Sequence, residues 1–194
     1  MYNSLSALPT APYKIMTYLA TSKNAEAENL WKIIKYPDYN ALSQPNLTFK
    51  EKMDLVSKYG PQADYNIFLT SLIEDAIAES KCILKMYTYF VHPVQLYTAN
   101  VVFAFDFLFG GKMATVELDG APVARGDLFI NSILTILNGV EVGGVGKLVF
   151  HEDMSRYALA RNVIGNQKTF AGVTLYLSTV MGDSGREGTC EREY

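Results

Sequence analysis

Hydrophobic residues in the first third of the chain recur every three or four positions, which is the spacing of amphipathic helices. The pattern predicts one helix over Ala11–Thr21 and a second over Asn24–Lys35. Asn24 is a suitable N-cap for the second helix. The buried stripe of that helix is expected to consist of Leu30, Trp31, Ile33 and Ile34.

A third helix is predicted from Thr48 to Lys58. Thr48 and Glu51 have the spacing of a capping box, in which each side chain accepts a hydrogen bond from the other residue's backbone N–H. Gly60–Pro61 would end this helix. Together, the three helices predict a helical N-terminal segment over residues 1–62.

From Cys82 the hydrophobic spacing changes to the two-residue alternation of strands, with many aromatic and β-branched residues. Ile83–Val91 and Ala99–Phe109 are predicted strands, joined across His92–Pro93. The pattern before them, over residues 64–80, is ambiguous and favours a helix that leads into a strand.

Turn residues divide the second half of the chain. Asp119–Gly120 is a type I′ hairpin signal that closes a predicted strand over Met113–Leu118. Arg125–Leu137 has the clearest helical pattern, with Asp127 as its expected N-cap and Asn138–Gly139 as its end.

Two further strands are predicted, a short one over Lys147–Phe150 and a long one over Thr169–Met181. The order of elements predicts an α+β fold: a helical N-terminal segment followed by a mostly antiparallel β-sheet packed against one or two helices. The α+β domain would span residues 63–182. Residues 183–194, with four acidic and two basic side chains, are expected to form a flexible acidic tail.

Composition narrows the function classes. The 194 residues have a net charge of −3, so no basic excess indicates nucleic-acid binding. Two cysteines, Cys82 and Cys190, are too few for a disulfide framework, and Cys82 lies in an apolar run typical of a core residue. The 13 tyrosines suit partly wet interfaces between proteins.

Motifs for catalysis or metal binding are weak. His151–Asp153 lacks the second histidine of a zinc-binding helix, and a cation site on Glu152 and Asp153 is a lesser alternative to a solvated loop. The segment Gly143–Lys147 is followed by Leu148, where a phosphate-binding loop needs Ser or Thr, and Glu141 replaces its first glycine. We therefore expect a protein that is not an enzyme and has no cofactor and no metal site.

Several short sequence segments in the second half of the chain follow one another in a distinctive order. A strand over Asn100–Phe107 precedes an Arg-x-Asp helix start at Arg125–Asp127 and a helix end at Leu137–Gly139. The Gly-rich segment Gly143–Lys147 then leads into the strand Leu148–Phe150, and the strand Thr169–Tyr176 comes last. Over residues 80–181, this order resembles the neck proteins of tailed bacteriophages, especially tail-terminator and head–tail connector proteins of phages from Gram-positive hosts.

The resemblance implies a structural virion protein of the neck or tail, assembled in the host cytoplasm. Its copies would form a ring, usually sixfold, that caps the tail tube and joins it to the head–tail connector. The implied partners are copies of itself, the tail tube protein and the head–tail connector proteins. Genomic DNA would pass through the lumen without sequence-specific binding, and no membrane is involved.

Candidate ring contacts are a sheet edge near Val101–Phe109 or Thr169–Met181, the Gly-rich segment and the tail. The residues singled out for assembly are Gly143, Gly144, Gly146, Lys147, Asp183, Arg186 and Tyr194. Acidic side chains are expected to face the lumen, because negative charge lets DNA pass without binding; these are Glu141, Glu152 and Asp153.

Two alternatives stay open. One is a connector or stopper ring directly under the portal. The other, from a different class, is a small soluble enzyme or ligand-binding α+β domain. Ring assembly without a bound small molecule favours the virion class, whereas a monomer with a deep pocket favours the last.

Overall fold

A computed structural model describes residues 5–58, 64–71, 81–95, 98–152, 162–164 and 170–182. Its helices are α1 (Ala11–Thr21), α2 (Ala25–Lys35), α3 (Phe49–Asp54) and α4 (Arg125–Leu137). Its strands are β1 (Ile67–Phe68), β2 (Ile83–Gln95), β3 (Thr98–Gly110), β4 (Thr115–Leu118), β5 (Ala121–Ala124), β6 (Glu141–Val142), β7 (Gly146–Lys147), β8 (Val149–Phe150), β9 (Asn162–Ile164) and β10 (Phe170–Gly182). The predicted α+β class is confirmed.

The first two helices form where the sequence predicts them. The Asn24 side chain caps α2 by accepting a hydrogen bond from the Ala27 N–H at 2.8 Å. Trp31 is fully buried, and its indole N–H donates to the Leu19 carbonyl of α1 at 3.2 Å. The indole thereby joins the two helices as well as filling the core.

The third helix is shorter than predicted. Its capping box between Thr48 and Glu51 is present, but the helix ends at Asp54 instead of Lys58. Val56 forms an isolated parallel bridge with Ile67, so the chain leaves the helix to join the edge of the sheet. The predicted helix over 64–80 is therefore wrong at Ile67–Phe68, which form strand β1; residues 72–80 lie outside the described part.

The main sheet has the strand order β1-β2-β3-β10-β8, with β9 also paired to β10. Strands β3 and β10 pair antiparallel along their whole length, from Gly110 opposite Phe170 to Thr98 opposite Gly182. Strand β1 pairs parallel to β2, and the other pairs in this sheet are antiparallel.

Strand β2 does not stop at His92–Pro93, as the sequence predicted. It continues to Gln95, with Pro93 opposite Ala99 and a register irregularity directly after it. A second irregularity lies between Thr88 and Phe90. Proline is compatible with this strand because, within the described residues, β2 pairs on its other side only at Leu84 and Lys85.

The inner face of the sheet and the helices share one hydrophobic core. Phe103, Phe105 and Phe107 of β3 are fully buried, and the Phe107 ring stacks on Phe129 of α4 at 4.6 Å. Trp31 belongs to the same hydrophobic cluster. Helices α2 and α4 also contact each other directly, so the N-terminal helices and the sheet are packed together.

Helix α4 has the predicted bounds but a different N-cap. Ala124 occupies the cap position with no side-chain hydrogen bond, and Asp127 lies in the first turn, so the prediction of an Asp127 cap is wrong. The Arg125 N–H is instead satisfied by the Ala114 carbonyl at 2.8 Å. The predicted polar face is confirmed, since Asp127, Asn131, Thr135 and Asn138 are all exposed.

The hairpin signal at Asp119–Gly120 is confirmed, because both residues have positive φ angles, 53° and 81°. Strand β4 begins at Thr115, since Gly111–Met113 forms a 3₁₀ turn. The predicted strand over Lys147–Phe150 is interrupted at Leu148. There the Leu148 N–H turns to the Val140 carbonyl, so β7 and β8 join different sheets.

Candidate functional site

The outer face of the sheet, opposite the helices, carries a groove of about 670 Å³. One row of directly opposed residues crosses it from β2 to β8: Phe90, Val102, Ser178 and Val149. With strands about 4.8 Å apart, this row is about 14 Å wide. We call this feature the outer groove; it is lined by Phe90, His92, Asn100, Val102, Lys147, Val149, His151, Ser178, Thr179 and Val180.

Large apolar side chains are exposed along the outer groove. Phe90 is 50% exposed, Val149 46% and Val180 61%. Tyr89 and Val94, on the same strand as Phe90, are about half exposed. Single exposed apolar residues are common on protein surfaces, but a contiguous group marks a contact site.

The polar side chains of the outer groove are donors or neutral groups. Lys147 contributes an ammonium, and His92 and Asn100 contribute groups that can donate hydrogen bonds. Among the described residues that line the groove there is no carboxylate. The groove therefore suits an apolar group that carries a negative charge beside it.

A second part of the outer face consists of polar side chains that bond to one another. The Asp106 carboxylate, 9% exposed, accepts from the Tyr87 hydroxyl at 3.1 Å and forms an ion pair with Lys85 at 3.0 Å. Burial, and then the Asp106 charge, raise the pKa of Tyr87; burial and the neighbouring Tyr89 raise the pKa of Tyr176. This cluster is satisfied within the subunit and offers no unpaired charge to a ligand.

The Gly-rich segment, expected to be a loose loop, has a defined shape. Glu141–Val142 and Gly146–Lys147 pair as a hairpin whose Val142 and Val145 side chains are buried. A Cβ on Gly144 would lie 2.6 Å from the Lys14 Nζ, and one on Gly146 would lie 2.6 Å from the Thr179 Oγ1. A φ of 74° therefore explains Gly144, because the Lys14 side chain can move aside, while Gly146 is explained by a φ of 109° and by close packing; Gly143 has open space around it.

The structure places the remaining candidate residues that it describes at different positions and does not bring them together in one site. Lys147 lines the outer groove, and Glu141 lies opposite it in the hairpin. Both Glu141 and Glu152 are exposed. Asp153 and the tail residues Asp183, Arg186 and Tyr194 lie outside the described residues.

The predicted sheet edge at Val101–Phe109 is wrong, and the one at Thr169–Met181 is an edge only in part. Val101–Phe109 belongs to β3, which is paired on both sides. Strand β10 is paired with β3 throughout and with β9 and β8 at intervals on its other side. In the described part of the chain, the long unpaired edge is instead β2 after Lys85.

Sequence reasoning missed Arg125, which it treated only as a helix start. Its guanidinium is fully buried and donates to five carbonyl groups: Met113 at 2.7 Å, Ile33 at 2.7 Å, Tyr36 at 2.8 Å, Pro37 at 2.9 Å and Asp38 at 3.0 Å. Burial lowers the pKa of Arg125 and raises that of its neighbour Cys82 to about 11. No local pattern could have shown this role, because the carbonyls lie about 90 residues away along the chain.

Arg125 fixes a loop at the end of α2 that presents an acidic and an aromatic side chain. Asp38 is exposed, and Tyr39 is 47% exposed. The loop is held from a second side, since the Tyr39 carbonyl accepts from the Glu117 N–H at 2.8 Å. We call Asp38–Tyr39 the aromatic knob.

A family model described as YomW matches residues 27–179, well over half of the chain. The chain belongs to the YomW family. Membership indicates a phage-associated protein. No curated protein and no solved structure matches the chain.

The YomW match covers both surface features. The aromatic knob and Arg125 lie inside it, as do the lining residues of the outer groove except Val180. In the described ranges, no group of three or more His, Cys, Asp and Glu residues is placed to hold a metal ion. Nor does any helix of those ranges have the length and apolar character needed to cross a membrane.

Proposed function

We propose that this YomW family member is a structural virion protein of a tailed phage neck, whose copies form a tail-terminator ring. The ring caps the tail tube and joins it to the head–tail connector. Family membership supports the association with a phage. The observation that carries the proposal is the exposed apolar groove on the outer face of the sheet, in a subunit whose main hydrophobic core lies on the other face.

An uncovered apolar groove suits a subunit that is completed by neighbours. Phe90, Val149 and Val180 would lose their contact with water when another protein covers them, which favours association by about 25 cal/mol per Å² of apolar surface. A ring repeats one contact between two different surfaces until the rotation closes. The outer groove supplies one of those surfaces.

The exposed acids fit the lining of a channel for DNA. Glu141 and Glu152 are accessible on the part of the subunit formed by the Gly-rich hairpin and the end of β8. In the proposed ring they face the lumen, together with Asp153. Negative charge there repels the phosphate backbone, so DNA passes without binding.

A ligand-binding domain is the second candidate, and the outer groove is also the observation that favours it. A volume of about 670 Å³ lies within the range of small-molecule sites. The proposal assigns no catalytic residue, cofactor or metal. Thermal shifts measured with ATP, GTP, Zn²⁺, Mg²⁺ and Ca²⁺ should therefore be flat, and a specific rise of several degrees would support the second candidate instead.

The deciding experiment measures the mass of the protein alone and with purified tail tubes, by light scattering and by electron microscopy. The tail-terminator proposal expects closed rings, or rings that form at tube ends. Binding to portal or connector complexes but not to tubes would move the protein to the connector or stopper position. A monomer under all of these conditions would contradict the ring.

A further inference from the structure

We infer that the outer groove of one subunit receives the aromatic knob of a neighbouring copy. The inference rests on the proposed ring and names its repeating contact. In this contact the two surfaces bind each other. The knob is Asp38–Tyr39, and the groove is centred on Val102, Val149 and Val180.

Chemical complementarity is the first argument. The knob offers a ring that is 47% exposed beside an exposed carboxylate. The groove offers an apolar floor with Lys147 beside it and no carboxylate among its described lining residues. An aromatic side chain with a polar tip is the kind of group that anchors protein interfaces.

Rigidity is the second argument. Arg125 donates to the carbonyls of Tyr36, Pro37 and Asp38, and the Glu117 N–H donates to that of Tyr39. The loop therefore holds its shape before any partner binds. A preformed loop loses little conformational entropy on docking, which strengthens binding without any new contact.

Position is the third argument. The groove lies at the Asn100–Val102 end of β3 on the outer face of the sheet. The knob lies near the opposite end, where Arg125 also bonds Met113 just after Gly110, and on the helical side. Val102 and Gly110 are about 26 Å apart along the strand. A subunit therefore cannot fill its own groove, and knob-to-groove contacts link copies head to tail.

Two exposed substitutions test the pair. Tyr39→Ser removes the aromatic ring of the knob, and Val180→Glu places a negative charge in the groove that repels the Asp38 carboxylate, at a position that is 61% exposed. Each variant should weaken self-association at least tenfold, measured by sedimentation, while its melting temperature stays that of the wild type. Tyr13→Ser is the matched control, because Tyr13 is 53% exposed and belongs to neither surface.

Mixing the two variants tests the direction of the contact. The Tyr39→Ser subunit keeps an intact groove and the Val180→Glu subunit keeps an intact knob, so the mixture should form 1:1 pairs that do not close into rings. Rings formed by either variant as readily as by the wild type, or a mixture that stays monomeric, would overturn the contact while leaving the ring in place. A monomeric wild type with tail tubes present would instead remove the ring and this contact together.

Discussion

At the scale of single residues, Arg125 does more to hold the fold together than any motif recognised in the sequence. It satisfies four carbonyls at the end of α2 and in the turn after it, and one before β4. A planar guanidinium with five N–H donors can serve several acceptors at once, whereas a lysine ammonium is a single point of charge. The side chain therefore joins α4 to the end of α2, to the turn after it and to the 3₁₀ turn after β3 through their backbone carbonyls.

Replacing Arg125 should destabilise the fold strongly. Arg125→Met leaves buried carbonyls without donors, so we expect the free energy of unfolding to fall by at least about 3 kcal/mol. Arg125→Lys should recover only part of this loss. Urea denaturation followed by circular dichroism measures the effect, and Lys112→Met, which removes an exposed charge, is the control. A loss below about 1 kcal/mol for Arg125→Met would show that water replaces the guanidinium.

At the scale of elements, the sequence predicted those whose signals are local. Asn24 caps α2, and Asp119–Gly120 turns the β4–β5 hairpin, as their residue types require. The wrong predictions concern segments whose structure depends on pairing with residues that are distant in the sequence. Ile67–Phe68 became a strand because it fits beside Leu84 and Lys85, which hydrophobic spacing within one segment cannot show. The outer groove was unpredictable for the same reason, since residues of five separate strands line it.

Neighbouring glycines of the β6–β7 hairpin should respond differently to substitution. Gly146 has φ of 109°, and an added Cβ would lie 2.6 Å from the Thr179 Oγ1 and 3.0 Å from the Val180 carbonyl oxygen. Gly146→Ala should therefore lower the free energy of unfolding by about 1–3 kcal/mol. Gly143→Ala is the matched control, with no positive φ and open space, and should change it by less than about 0.5 kcal/mol. Equal losses at both positions would contradict the hairpin geometry.

The capping box of α3 should make stability depend on acid. Hydrogen bonds from the backbone and hydroxyl of Thr48, and then from Lys35, lower the pKa of Glu51 from 4.5 to about 2. Because the folded pKa lies below the unfolded value, this stabilisation is complete above pH 4.5 and is lost as the pH falls towards 2. The difference in urea midpoint between the wild type and the Glu51→Gln variant should therefore become smaller as the pH falls over that range. Glu26→Gln, in the first turn of α2, is the control, and a gap constant with pH would contradict the assignment.

At the scale of the whole molecule, helices and sheet share one hydrophobic cluster that includes Trp31, Phe107 and Phe129. Part of the outer face is also covered, since Phe68 and Ile83 form a small separate cluster there. The apolar residues Phe90, Val149 and Val180 of the outer groove stay exposed, and the proposed assembly depends on them.

The tail gives a test of assembly that is independent of folding. Ending the chain after Gly182 removes residues 183–194 but no part of the described core. We expect a folded subunit with an unchanged melting temperature that joins neighbours or tail tubes poorly. Pull-down with tail tubes compares it with the full chain, and the acidic-to-amide tail variant Glu191→Gln, Glu193→Gln separates charge from length. Equal capping by the truncated protein would remove the tail from assembly.

The long reach of Arg125 also sets an order of events during translation. The carbonyls of Ile33 to Asp38 leave the ribosome 92 to 87 residues before the side chain that satisfies them. Until then those four carbonyls lack this donor, and a nascent chain that ends at Leu118 should be cut by protease at the end of α2. A chain released at full length should resist the same digestion. The amino-terminal helices therefore reach their full stability only after Arg125 has been synthesised.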